Sequence, residues 1–208
     1  MPKITRPLRS VLYIPGSKPR ALDKARTLAC DAIIFDLEDA VSPDEKVAAR
    51  QLLATTLATA DYGARRRIVR VNGFDTEWGA DDLDTLIAAA PDAILLPKVN
   101  SGADVAAVAG MIDKVPEASK TTIWAMMETP RGILNALEIA EAPRMEGFGL
   151  GTNDLAKDLG STGRPAMITS LQMCLLAARA EGLICIDGVY NAFKDDDGLR
   201  AECDEGRG

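Results

Sequence analysis

The sequence predicts an α/β fold of the (β/α)8 TIM-barrel type, and three observations predict it. Strand-like runs alternate with helical segments seven times, the runs are apolar along nearly their whole length, and acidic residues recur where they end. A strand covered on both faces reads as a continuous apolar run, whereas a half-exposed strand alternates. An acid at the end of such a strand must be solvated, paired or bound to a cation. One is ordinary; a series (Asp36, Glu38, Asp39, Glu128, Asp154 and Asp187) reads as oxygen ligands gathered at one end of a parallel barrel.

The elements follow in order. The run 10–15 (SVLYIP) closes at Gly16, and Ser17 with Pro19 opens a helical stretch over 18–29. The run 32–39 (AIIFDLED) precedes Ser42, Pro43 and Glu45, a cap-like start for 44–59. The basic ARRR at 64–67 reads as a solvated loop entering the run 67–73, which is followed by a helix over 80–90. The run 93–99 leads to Ser101, a cap for 102–113. The runs 122–129, 147–153 and 184–190 alternate with helical segments over 131–141 and 165–181, and a last helix begins near 195. No linker or low-complexity tract divides the chain, so 1–208 reads as a single domain. An open doubly wound sheet is the other fold with this alternation, but it would place functional residues at one switch point, not after nearly every strand. A closed barrel needs an eighth strand, and the expectation is a barrel lacking its last strand and C-terminal segment in this chain.

Composition narrows the chemistry. A hydrophobic fraction of 47% and a charged fraction of 26% are ordinary for a globule, and a net charge of −7 argues against nucleic acid or an anionic membrane as partner. No apolar run approaches the roughly 18 residues that a membrane span needs, and no apolar signal core opens the chain, so a cytoplasmic location is expected. Cys30, Cys174, Cys185 and Cys203 show no CxxC or metal-finger spacing and read as reduced, with Cys174 and Cys185 as small buried hydrophobes. There is no histidine, which removes Ser-His-Asp and Cys-His catalysis and histidine-ligated zinc. Chemistry must run on carboxylates, Arg, Lys, Tyr, backbone dipoles or a hard metal.

Glu128 and Asp154 end consecutive predicted strands, about 4.8 Å apart in a parallel sheet, so both can reach one ion. Two carboxylates with waters and a chelating substrate suit Mg²⁺, which seldom receives an all-protein cage. The structural alternative is an Asp154 helix cap and a Glu128–Arg131 pair. Arg70 lies inside an apolar run as either a core salt bridge or a clamp for a substrate oxygen. Lys98 reads as structurally paired, since nearby acids would raise its pKa and disfavour a Schiff base. Arg20 and Lys24, one turn apart, form either a solvated face or an anion site. GLGTND lacks the third glycine of a dinucleotide fingerprint.

The segments RSVLYIPGSKPRALDKA, DAIIFDLEDAVSPDEKVAAR, RVNGFDTEWGADDL, LLPKV, WAMMETPRGILNA, GTNDLAKDLG and DGVYNAFKDDDGLRAEC resemble, in order, the citrate lyase beta-subunit-like family. That family, within the HpcH/HpaI aldolases, also holds malyl-CoA and citramalyl-CoA lyases. The resemblance implies a TIM-type barrel assembled as a homo-oligomer, trimer or hexamer, that makes or breaks a C–C bond beside a CoA thioester. It implies Mg²⁺ on Glu128 and Asp154, Arg70 and Glu128 as catalytic and substrate-binding residues, and Glu38 and Asp39 holding metal waters. It implies CoA contacts at Tyr13, Arg20 and Lys24. The expected activity is a Mg²⁺-dependent lyase acting on citryl-, malyl- or citramalyl-CoA to give acetyl-CoA and a 2-oxo acid. The alternatives are a malyl-CoA thioesterase on the same scaffold and a non-catalytic CoA- or oxo-acid-binding protein. Family members continue into a segment that supplies a catalytic Asp to a neighbouring subunit, so no residue here is assigned as general base.

Overall fold

The structure, a computed structural model, describes residues 8–207. Seven strands form one sheet: β1 (Val11–Pro15), β2 (Ala32–Asp36), β3 (Arg66–Arg70), β4 (Ala93–Leu96), β5 (Thr122–Met127), β6 (Met145–Leu150) and β7 (Ile184–Ile186). They stand in sequence order and every neighbouring pair is parallel. Helices α1 (Pro19–Ala25), α2 (Lys46–Thr59), α3 (Gly79–Ile87), α4 (Gly102–Ile112), α5 (Pro130–Leu134), α6 (Ala136–Ala140), α7 (Thr152–Asp158) and α8 (Ile168–Ala180) fill the connections, and α9 (Asp196–Arg207) follows β7. An order without reversal is barrel topology, not a doubly wound sheet. The closed eight-stranded form is not seen: among the described residues β1 and β7 are edges, and the sheet is a curled partial barrel of seven strands.

The apolar runs are explained by two packed layers. Ala32, Ile34, Ile68, Ala93, Leu95, Trp124 and Met126 meet inside the curl, with Val11 and Tyr13 of β1 and Ile184 and Ile186 of β7 against the same cluster. The two edge strands share this inner layer, which requires the sheet to curl. Alternate residues such as Ile33, Phe35, Val69, Ile94 and Phe148 point outward into the helix-covered core. Beyond Glu146, the inward positions of β6 and the residue after it are glycines because the facing side chains leave no room. Gly147 pairs with Trp124, and a Cβ there would stand 2.8 Å from the indole; at Gly151 it would stand 2.4 Å from Glu128 Cβ.

The strands stop sooner than the apolar runs. Asp36 accepts the N–H groups of Glu38 (2.9 Å) and Ala40 (3.1 Å), which bends the chain out of β2 and leaves Glu38 and Asp39 on a loop. Ser101 forms the expected capping box with Asp104. Ser17 caps nothing: Lys18 occupies that position, and Ser42 opens a 3₁₀ turn, its hydroxyl 3.1 Å from Glu45 Oε2. The expected helix over 131–141 is broken at Asn135. The expected strand over 147–153 ends at Leu150, and its last residues begin α7.

The ARRR stretch is not a solvated loop. Arg65 donates to the Leu28 carbonyl at 2.6 Å, and Arg66 and Arg67 begin β3. Glu146, skipped by the β5–β6 register, turns inward and accepts from Arg66, from Thr122 Oγ1 (2.6 Å) and from Trp124 Nε1 (2.8 Å). This network closes the base of the barrel. All four cysteines are free; Cys174 is buried as expected, Cys185 is half-buried, and burial pushes their thiols up to about 12 and about 11. No helix among the described residues is long and apolar enough to cross a membrane.

Candidate active site

Every predicted acid except Asp154 follows or ends a strand at the same end of the sheet, and α7 brings Asp154 to it in its first turn. A cavity of about 440 Å³ opens there, with Tyr13, Arg70, Met126, Glu128, Asp154 and Asn191 in its wall.

Arg70 is buried and its partners are set by register, because it stands opposite Asp36 in the β2–β3 ladder. Its Nε and Nη2 donate to the two Asp36 oxygens at 2.7 and 2.6 Å, the bidentate geometry of a guanidinium–carboxylate pair. Only Nη1 faces the other acids, 2.9 Å from Glu38 Oε2 and 3.3 Å from Asp39 Oδ2. The Tyr13 ring covers the guanidinium, 5.1 Å from centroid to Cζ. Burial opposes the charge of Arg70, but the hydrogen bonds and charge of Asp36 raise its pKa above the ordinary value. Tyr13 donates to Met126 Sδ at 3.4 Å, and burial pushes its phenol up to about 12.

Glu128 is 3% exposed and accepts the backbone N–H of Lys98 at 2.8 Å; Lys98, not Arg131, is its partner. Burial pushes its carboxyl up to about 7, a pull that this N–H only partly offsets. Burial also raises Glu38, whose Oε2 lies off the line of the Arg70 N–H bonds and accepts no hydrogen bond. Lys98 Nζ lies 3.3 Å from Glu38 Oε1 and 3.7 Å from Asp154 Oδ2. Asp39, 67% exposed, stands at the rim. Arg20 and Lys24 lie exposed on α1, outside the cavity wall. Asp187 is held by Arg164 at 3.0 and 2.6 Å, and Arg164 also reaches Glu202 and Glu205 of α9. Acids therefore exceed cations at this mouth: Asp36, Glu38, Asp39, Glu128 and Asp154 against Arg70, Lys98 and Lys46, whose ammonium rests on the Leu37 and Glu38 carbonyls.

This excess is the test of fit for Mg²⁺. Glu128 is buried with a backbone N–H and, among the described residues, no ion pair on its carboxylate, and hard oxygens are the donors Mg²⁺ prefers. Among the described residues no three His, Cys, Asp or Glu side chains form a metal cage, so the fit is to two carboxylates completed by water and substrate. Sequence reasoning placed Asp36 among the oxygen ligands without giving it a partner, and left Asn153 and Asn191 out of the site. Asp36 holds Arg70, and Asn153 and Asn191 pair at 3.0 Å across the mouth. Asp36 carried a signal, as the last residue of an apolar run; Asn153 and Asn191 carried none.

Residues 9–207 match the family described as HpcH/HpaI aldolase/citrate lyase. A (3S)-malyl-CoA thioesterase of Cereibacter sphaeroides (strain KD131 / KCTC 12085) is 64% identical over 204 residues, covering 97% of this chain and 70% of that protein. The L-malyl-CoA/beta-methylmalyl-CoA lyase of Cereibacter sphaeroides (strain ATCC 17025 / ATH 2.4.3) is 33% identical over 229 residues, covering 97% and 72%. A solved citrate lyase beta subunit from M. tuberculosis, complexed with oxaloacetate and magnesium, matches with a TM-score of 0.78 and 33% identity over 92% of this chain and 83% of its own. The expected family resemblance holds. The expected C–C lyase activity does not: the thioesterase stands at nearly twice the identity of the lyase over the same share of this chain. Motifs shared by the whole family carried the lyase reading, and those motifs do not separate its two reactions.

Proposed function

The chain belongs to the HpcH/HpaI aldolase/citrate lyase family of enzymes, and from that premise we propose that it hydrolyses the thioester of a malyl-CoA-type substrate. The observation that carries this reading is the identity with (3S)-malyl-CoA thioesterase along almost the whole chain. In this reaction a water oxygen bonds to the thioester carbonyl carbon, the C–S bond breaks, and CoA leaves as a thiolate that takes up a proton. The C2–C3 bond of the malyl group, which a lyase would cut, stays intact.

Glu128 and Asp154 are the residues that would hold Mg²⁺. The bound ion would supply Lewis-acid polarisation of substrate oxygens. Asp36 holds two edges of the Arg70 guanidinium, so only Nη1 can meet a substrate oxygen, and it does so by exchanging Glu38 or Asp39 for that oxygen. A donor held this rigidly spends little energy reorganising as charge develops. Tyr13 packs over the same guanidinium and walls the cavity. Arg20 and Lys24 are exposed cations suited to the phosphates of CoA. Glu38 and Asp39, on the loop after β2, would orient water beside the ligand pair.

The test is product analysis with (3S)-malyl-CoA and Mg²⁺. Free CoA and malate without acetyl-CoA support the reading. Acetyl-CoA with glyoxylate, or no turnover, refutes it.

A further inference from the structure

One residue, Lys98, touches three of the mouth acids by two different means. Its backbone N–H donates to Glu128 Oε1 at 2.8 Å, while its ammonium lies 3.3 Å from Glu38 Oε1 and 3.7 Å from Asp154 Oδ2. The backbone at Lys98 is left-handed, with φ of +49°, a conformation that glycine adopts at lower cost than a residue with a side chain. Ala90 and Arg144 share that conformation, so it is the two carboxylate contacts of the ammonium that point to work done by this side chain. The ammonium is half exposed, so it can leave without unfolding its surroundings.

We propose that Lys98 is the resident counter-charge of the metal site: its ammonium holds Glu38 and Asp154 in place in the metal-free protein, and a divalent cation enters by displacing it. The proposal rests on the reading of Glu128 and Asp154 as the metal ligands. Ammonium and metal compete for the same carboxylate charge, so Lys98 weakens metal binding while pre-arranging the acids that perform it. The Glu128 contact belongs to the backbone and survives a change of side chain. Methionine pays the same left-handed backbone cost as lysine, so Lys98→Met removes the charge alone.

The test is calorimetric titration of Mg²⁺ into the full chain at fixed ionic strength, with far-UV circular dichroism to verify folding. Lys98→Met should bind Mg²⁺ roughly tenfold more tightly than the parent, the scale expected for removing a unit charge a few ångströms away in a partly solvated site. Lys98→Arg, which keeps the charge, should bind no more tightly than the parent. Lys114→Met, which removes an exposed charge outside the cavity wall, should change affinity less than twofold. In EDTA, Lys98→Met should melt below the parent, and Mg²⁺ should raise its Tm by more. Should Lys98→Met misfold, Lys98→Gln carries the same expectations. Unchanged or weaker Mg²⁺ binding by the neutral variant, an equal gain in Lys114→Met, or no binding by any variant overturns the proposal. Titration involves no substrate, so a chain with this affinity pattern that fails to hydrolyse malyl-CoA loses the proposed reaction and keeps the proposed role of Lys98.

Discussion

Arg66 and Arg70 stand on one strand, β3, four residues apart and on the same inner face, yet they end in opposite situations. At the base, Glu146 is matched: one guanidinium, one hydroxyl and one indole N–H converge on its Oε2, leaving only Arg66 Nε without an acceptor. At the mouth, Asp36 consumes the fork of Arg70, Glu38, Asp39 and Asp154 share one guanidinium nitrogen and one ammonium, and Glu128 has a backbone N–H. A guanidinium paired with an acid on the inner face therefore does not mark a site. What marks it is carboxylate charge left over after the local cations are used, because that charge is what a metal or a substrate can answer.

The contrast is easiest to break at Glu128. Glu128→Gln should lower kcat/KM for malyl-CoA hydrolysis by about 1,000-fold or more, roughly 4 kcal/mol, in a CoA-release assay, while Thr122→Val at the base should stay within about twofold. A tenfold or smaller loss in the first variant would remove the mouth as the site. Next in size is Arg70→Met, which strands the buried Asp36 carboxylate. Urea denaturation should show a loss of about 3–5 kcal/mol, with hydrolysis lost as well.

A pH series sharpens the contrast further. The Glu128 pKa rises from 4.5 unfolded to about 7 folded, so the native state binds the extra proton between those values. In EDTA, its ionisation should therefore cost stability progressively as pH rises from 4.5 through 7, by up to about 3 kcal/mol. Glu128→Gln should then gain on the parent between pH 5 and pH 8, and saturating Mg²⁺ should abolish that gain. Parallel pH–stability curves for the two proteins in EDTA would contradict the desolvated carboxylate. The smallest effect is expected from Arg66→Met. It should cost about 2 kcal/mol, because Glu146 keeps the Thr122 and Trp124 donors, and it should leave kcat/KM within about twofold. A loss larger than that of Arg70→Met would reverse the ranking of the two ends.

Much of this architecture was legible from local pattern. Continuous apolar runs marked the seven strands; along β2 and β4 residues facing the inner cluster and residues facing the helices are both buried, while the edge strands β1 and β7 are half-buried. Acids at the ends of those runs marked the mouth. Legibility failed where a polar side chain's partner, near or distant, decides the local structure. Asp36 binds the backbone two and four residues ahead and so ends β2 before Glu38 and Asp39, which the hydrophobic pattern could not register. Arg65 and Arg66 read as solvated because their acceptors, Leu28 and Glu146, lie 37 and 80 residues away.

By itself the sequence determined the alternating parallel architecture, the end of the sheet where acids gather, and a chemistry without histidine. These depend on residue type and short-range spacing, which one chain displays directly. Tertiary structure alone decided which charges cancel. The Arg70–Asp36 pair spans 34 residues and is set by the β2–β3 register, and Lys98 meets Glu128 and Glu38 across 30 and 60 residues. Ionic partners are chosen by distances of a few ångströms in a poorly solvated space, and those distances exist only once the sheet has curled.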